Sequence, residues 1–441
     1  MMSSISDIRA QIWTLGLLRA TEAFAWSSIF PYAYSMIHSF DQVPSDSIPF
    51  YTGLLIAVVT LGEFVSSIFW ARISDSIGRK PTLLIGTAFG AATALLLGFS
   101  RSIGAAVGAR ALGGLLTANA GIVQTCTGEI ARREQQARAF SSVTFIRAVG
   151  NLIGVFTRRD SIWGVYPYLL PNVVVAGTQI LAFGVAMAVL EETKPGFRGR
   201  LSGSGGGGGG GGDETAALVD GAAVKQQKRH VWDAQVTLQI VSISLLAYHK
   251  VGSDALIGTF LALPTAQGFG FSTQQIGLVF LSETAFRVAV QFATVSVVID
   301  RLGVLRAYQW VLALYPLAYL LTPFLPNLRL PGPVRTTVLL VDLWSKVALS
   351  SVGYVCSAIL ITNTTPSREG LAQVNGAAAS VGCLARSLGP LISGKLLAIG
   401  VTTRHVEIAF WALSGVALLG LVEAPFLRDD VRSEGGGSGD E

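Results

Sequence analysis

Apolar runs long enough to cross a lipid bilayer recur down the whole chain and constrain its fold more than any other feature. They lie at roughly 12–37, 51–74, 81–100, 104–131, 139–157, 164–190, 234–262, 274–298, 304–325, 336–361, 370–398 and 404–427. A spanning helix needs about 20 mostly apolar residues, and lipid tolerates only backbones that satisfy their own hydrogen bonds. The pattern predicts an all-α membrane protein with twelve transmembrane helices. Composition agrees: hydrophobic residues make up 51% of the 441-residue chain and charged residues only 13%. A soluble domain carries about a quarter charged residues. Mean hydropathy is +0.55.

A polar stretch at 191–232, with the run Gly203 to Gly212, cannot build a packed core and reads as a linker. It divides the chain into an N-terminal six-helix half (1–190), the linker (191–232), a C-terminal six-helix half (233–428) and a disordered tail (429–441). The formal charge of +5 does not point to nucleic acid, because the basic residues sit in short clusters between apolar runs. Arg72, Arg79 and Lys80 flank the second and third runs, and Arg132, Arg133 and Arg138 lie between the fourth and fifth. Lys194, Arg198, Arg200, Lys225, Lys228 and Arg229 occupy the linker. The loop around Asp41 and Asp46 has no Lys or Arg, and neither does 264–275. By the positive-inside rule, the linker and both termini are expected to be cytoplasmic. Arg158, Arg159, Arg329 and Arg335 run against the trend. The first run, starting near Ile12, is long enough to read as a span and not as a cleavable signal. Cys126, Cys356 and Cys383 lie in apolar runs without metal-ligand spacing and read as small buried hydrophobes.

The halves echo each other. Asp75-Ser76-Ile77-Gly78 follows the second run and Asp300-Arg301-Leu302-Gly303 the eighth. Arg147-Ala148-Val149-Gly150 lies in the fifth and Arg386-Ser387-Leu388-Gly389 in the eleventh. This predicts two pseudo-symmetric six-helix bundles with a site at their interface.

The segment from Trp70 to Pro81 is the most informative loop. Asp75 ends a helix beside Arg72, Arg79 and Lys80, Gly78 permits a tight turn, and Pro81 can open the next helix. One reading is a charged hairpin that only pins topology. The other is a gating loop, whose charge-assisted bonds to neighbouring helix ends form in one state and break in another.

Here the sequence resembles the major facilitator superfamily. The family carries a Gly, an Asp and then Gly-Arg-Lys/Arg in this loop; Asp75, Gly78, Arg79 and Lys80 match, with Ala71 in place of the first Gly. Tyr166 to Asn172, Glu191-Glu192-Thr193-Lys194-Pro195 and Arg386 to Gly394 resemble the fungal and plant zinc-induced-facilitator-like and drug:proton antiporter branch. The resemblance implies twelve helices, alternating access and proton-coupled export. Arg110, in Arg110-Ala111-Leu112-Gly113-Gly114, resembles the family's fourth-helix arginine, which is linked to proton transfer. The fifth run departs from the pattern. Gly150-Asn-Leu-Ile-Gly154 passes directly to Val155, without the Pro and Gly pair that the family has there. By that resemblance roughly 15 residues are missing, and the run is barely long enough to span.

Ionisable residues inside the runs are costly in lipid, so each needs a partner or a wet cavity. Arg19 and Glu22 are one turn apart in the first run; they read either as a structural pair or as a site where Glu22 exchanges a proton. Gly113 and Gly114 would let another helix approach closely. Arg147 is too central to snorkel. His249, Lys250 and Asp254 cluster in the seventh run, Glu283 and Arg287 in the eighth, and Asp342 and Lys346 share a face in the tenth. Imidazole titrates in the physiological range, so His249 is either a proton carrier or a hydrogen-bonded packing residue.

No catalytic constellation and no phosphate-binding Gly-x-x-x-x-Gly-Lys-Ser/Thr loop is present in the sequence. The expectation is a transporter and not an enzyme, without metal or cofactor, acting as a monomer on a small-molecule substrate and protons in a plasma or vacuolar membrane. The rival is a transport-inactive sensor that keeps the fold, favoured by the short fifth run. Arg110 and Glu22 are the candidates for coupling, with Arg19 tuning Glu22, and the Asp75 loop for gating.

Overall fold

The computed structural model describes residues 5–40, 43–117, 166–192, 233–365 and 368–429. The fifth run with Arg147, the end of the fourth run and most of the linker lie outside the described residues.

The described chain is helical throughout. The first half contributes α1 (Ile5–Ser27), α2 (Ala33–His38), α3 (Ile48–Ile77), α4 (Arg79–Gly98), α5 (Ile103–Leu116) and α6 (Leu169–Val189). The second contributes α7 (Ala234–Ala262), α8 (Thr273–Ala293), α9 (Val295–Leu302), α10 (Val304–Leu321), α11 (Gly332–Thr364), α12 (Arg368–Thr403) and α13 (Glu407–Glu423). Among the described residues, eight helices are long and apolar enough to cross a membrane, or nine if α8 and α9, bent by 46°, form one span. Their outward faces are apolar: Val65 and Phe69 on α3, Ile180 and Leu181 on α6, and Leu317 and Leu321 on α10 are each at least 57% exposed. Such a surface is stable against hydrocarbon and not against water.

Local chemistry sets the boundaries. The first apolar run is not one helix. It breaks into turns over residues 28–32, because Pro31 removes a backbone donor and disfavours helical geometry in the residue before it. At the start of α8 the Ser272 hydroxyl accepts the N–H of Gln275, whose side chain accepts the N–H of Ser272, a complete capping box. The repeat seen in the sequence is also a repeat of backbone. Gly78 and Gly303 end the two Asp-x-x-Gly segments with φ of +102° and +77° and ψ of 164° and 161°, a conformation that side chains oppose.

Within the first half α4 packs on α6, α3 on α5 and α1 on α6; within the second, α7 packs on α12 and α10 on α11 and α13. The halves meet chiefly where α3 crosses α12. A Cβ at Gly53 would stand 2.3 Å from the Pro390 carbonyl oxygen, and one at Gly394 would stand 2.7 Å from that of Pro49. On the same face Ser35 and Thr273 share a hydrogen bond of 2.8 Å, and a core of Ile29, Phe30, Met36 and Leu55 reaches across to Ala255 and Phe280. The halves are therefore tightly joined on the face that carries α2.

Candidate functional site

The Asp75 loop lies on the opposite face, between α3 and α4. Arg79 Nη1 donates to Asp75 at 2.8 Å and to the Ser74 hydroxyl at 3.0 Å. Arg72 is exposed on α3, one turn before Asp75. Glu192, beyond the end of α6, accepts the backbone N–H of Arg79 at 2.9 Å and of Lys80 at 3.1 Å. Lys80 Nζ donates to the Met187 carbonyl in the last turn of α6 at 2.9 Å. A carboxylate on an α-helix N-terminus and an ammonium on a C-terminus both match the helix dipole. Of the loop's charged side chains, Lys80 reaches a neighbouring helix end, while Asp75 pairs with Arg79 within the loop; with Glu192, these contacts tie α4 to α6. The sequence reading missed Glu192 as a partner because its contact spans more than a hundred residues; the free N–H groups at the start of α4 were the available signal.

Between the helices of the first half lies a cavity lined by Thr21, Glu22, Trp26, Glu63, Arg110 and Gln179, among others. Arg19 and Glu22 form an ion pair, as the spacing in α1 predicts. Arg110 is 8% exposed; its Nε donates to the Leu55 carbonyl at 3.3 Å. Arg110 and Glu22 line one cavity, but no ion pair joins them among the described residues. α5 approaches α3 at Gly114, where a Cβ would meet the Val59 carbonyl oxygen at 2.0 Å; Gly114 makes this contact, while Gly113 faces Thr93.

Glu63, near the middle of α3, is the site residue that sequence reasoning overlooked. Across the interface between halves, the Cys383 thiol lies 3.9 Å from its Oε2. Arg386 Nη2 donates to the Cys383 sulfur at 2.9 Å. Cys383 is therefore not simply a small hydrophobe. The signal was available: a carboxylate alone in an apolar run requires a partner. Its partner sits on α12, beyond the reach of spacing rules within one helix.

The second half carries its own charged groups. Lys250 pairs with Asp254 along α7, and Lys346 Nζ donates to Asp342 at 2.6 Å along α11 and to the Thr322 hydroxyl. Arg287 donates to the Ser350 hydroxyl at 3.2 Å. Glu283 is 8% exposed and feels the charges of Lys250, Arg287, Lys346 and Asp254. His249 is 1% exposed. Its Nδ1 shares a 2.9 Å hydrogen bond with the Tyr319 hydroxyl, and its ring lies 4.7 Å from that of Tyr315, the environment of a packing residue. Among the described residues no group of three His, Cys, Asp or Glu side chains could hold a metal ion.

The family model of the Major Facilitator Superfamily matches residues 15–158. The multidrug transporter mfsB of Aspergillus fumigatus is 30% identical over 95% of this chain and 83% of its own length. That alignment runs over 503 positions, more than the 441 residues here, so mfsB carries segments that this chain lacks. ZINC INDUCED FACILITATOR 1 of Arabidopsis thaliana is 31% identical over 35% of each chain. The crystal structure of a D-xylose-proton symporter covers 97% of this chain and 99% of its own, with a TM-score of 0.69 at 15% identity; it shares the fold.

Proposed function

Because the chain belongs to the Major Facilitator Superfamily of membrane transporters, we propose that it exports a small organic, drug-like solute by alternating access, in exchange for protons. The observation that carries this reading is the cavity in the first half, where two carboxylates, Glu22 and Glu63, and the buried Arg110 line one space between helices. A carboxylate whose surroundings differ between two states binds its proton differently in each, and that difference couples a proton gradient to solute movement without ATP. The name of mfsB, a multidrug transporter, supports the choice of cargo. The reading takes twelve spans in two bundles, with the linker and both termini cytoplasmic, in a monomer of the plasma or vacuolar membrane. It places coupling on Glu22, Arg19 and Arg110, and gating on the Asp75 loop.

The test uses the protein in proteoliposomes. Glu22→Gln is expected to abolish solute accumulation driven by a pH gradient yet keep solute exchange at equal pH, since exchange moves no net proton. Gradient-driven accumulation at the wild-type rate in Glu22→Gln would remove Glu22 from the mechanism and pass the role to Glu63, Asp254 or Glu283. A second reading, a transport-inactive sensor, draws support from the shortness of the chain against mfsB. It requires that the wild type show neither accumulation nor exchange.

A further inference from the structure

Residues that line the cavity of the first half carry buried polar atoms of both kinds that have no hydrogen-bond partner among the described residues. Two are donors, Arg110 Nη2 and Trp26 Nε1, and two are acceptors, Glu22 Oε1 and Gln179 Oε1. All four residues line the same space. Arg110 and Gln179 are 8% and 5% exposed, so bulk water does not reach most of either side chain. A buried polar group left unpaired is costly, which makes such a set a description of what should fill it.

The charge arrangement narrows the class. The charge of Glu22 is met by Arg19. Glu63 faces the Cys383–Arg386 pair of α12. The guanidinium of Arg110 is bonded only to a carbonyl among the described residues. Among the described residues, Arg19, Arg110 and Arg386 against Glu22 and Glu63 leave one positive charge, and Arg110, which feels Glu63 only through space, is the cation without an ion pair or a side-chain hydrogen-bond partner. A carboxylate bound there would make a charge-assisted bond, about twice as strong as a neutral one. A net cation would enter against that charge. The rest of the wall is mixed, with apolar Leu18, Val59 and Leu97 beside the uncharged polar side chains of Thr21, Thr87, Thr93, Thr117 and Asn172, and the Trp26 ring is held edge-on to Phe30 at 4.9 Å.

We propose that this cavity binds a small amphoteric acid. Its carboxylate sits on Arg110 Nη2 and the Trp26 indole N–H, and an ammonium or hydroxyl donor sits on Glu22 Oε1 and Gln179 Oε1. The proposal rests on the transport reading above and names the substrate class of its site.

The full chain, purified into lipid nanodiscs at one pH with no gradient, is titrated calorimetrically with three matched probes: phenylalanine, 3-phenylpropionic acid and phenethylamine. Phenylalanine is expected to bind tightest and phenethylamine at least about ten-fold more weakly than the acid. Arg110→Gln should remove that preference by weakening both acids about ten-fold or more while leaving the amine unchanged. Should that variant not fold, Trp26→Phe keeps the ring and removes the donor. It should weaken both acids about three-fold or more. Gln179→Leu should weaken phenylalanine more than phenylpropionic acid. An amine that binds as tightly as the acid would overturn the proposal. So would the absence of saturable binding by all three probes, which would assign the cavity to water. Proton-driven flux that fails while the acid preference holds would strike the coupling reading alone. A preference for the amine with flux intact would strike this proposal alone.

Discussion

The carboxylate of Glu192 accepts the backbone N–H of Arg79 at 2.9 Å, so a residue beyond the end of α6 caps the first turn of α4. The fit depends on Gly78: a Cβ there would lie 2.4 Å from Glu192 Oε2. Removing a helix cap costs about 0.5–2 kcal/mol. Glu192→Ala is expected to lower the thermal midpoint of the purified protein, and Glu192→Gln, which keeps a side-chain oxygen, to lower it less. Equal midpoints in Glu192→Ala and wild type would mean that the cap contributes nothing.

Arg79→Ala and Asp75→Asn probe gating separately from that cap, because Arg79→Ala keeps the N–H that Glu192 accepts. Both variants are expected to insert normally but to exchange between inward and outward states at altered populations, shifted by about 1–3 kcal/mol. Labelling of cysteines engineered near each mouth reads this. Unchanged rates at both mouths would reduce the loop to a topology anchor.

At the opposite face, Gly53 has no room for a side chain beside Pro390. Overpacking of this kind costs about 1–3 kcal/mol, and in a two-state transporter the strain is relieved by parting α3 from α12. Gly53→Val should therefore speed the labelling of a cysteine placed at Thr273, where the Ser35 hydroxyl now sits at 2.8 Å. A labelling rate equal to that of the Thr273→Cys parent would show that the close approach is not what holds this face shut.

Glu63 and Arg386 should depend on each other through Cys383. A double-mutant cycle of Glu63→Gln and Arg386→Gln, read as thermal stability, is expected to show a coupling of about 0.5–3 kcal/mol. Cys383→Ser, whose hydroxyl can still accept from Arg386, should change stability far less than either. Strict additivity of the two charge substitutions would separate the residues.

Interactions confined to one helix were legible in the sequence. The pairs Arg19–Glu22, Lys250–Asp254 and Asp342–Lys346 follow from a periodicity that stacks residues three and four apart. The positive-φ turns at Gly78 and Gly303 follow from the repeated Asp-x-x-Gly. Partnerships between helices were not legible. The contacts of Glu192 with the start of α4 and of Glu63 with α12 each depend on a packing that local spacing does not encode, and Glu63 has no charged neighbour within its own run to draw notice to it. The sequence grouped Glu283 with Arg287 by the same spacing, and the two do feel each other's charge, but the hydrogen bond of Arg287 to Ser350 on α11 was beyond that rule. Apolar length alone also overran the break at Pro31, since hydropathy does not register a missing backbone donor.

The position of Glu63 near the middle of α3 would make this helix, tilting as a rigid rod about that level, a balanced lever. Gly53 lies ten residues to one side of it and Asp75 twelve to the other, arms of about 15 and 18 Å at 1.5 Å per residue. If α3 pivots as a rigid rod at that level, a tilt of about 10° carries the two ends about 3 Å in opposite directions. That distance is on the scale of both the steric block at Gly53 and a hydrogen bond at Asp75. One small rotation would free the first while straining the second, and Glu63, at the fulcrum, would stay almost where it is.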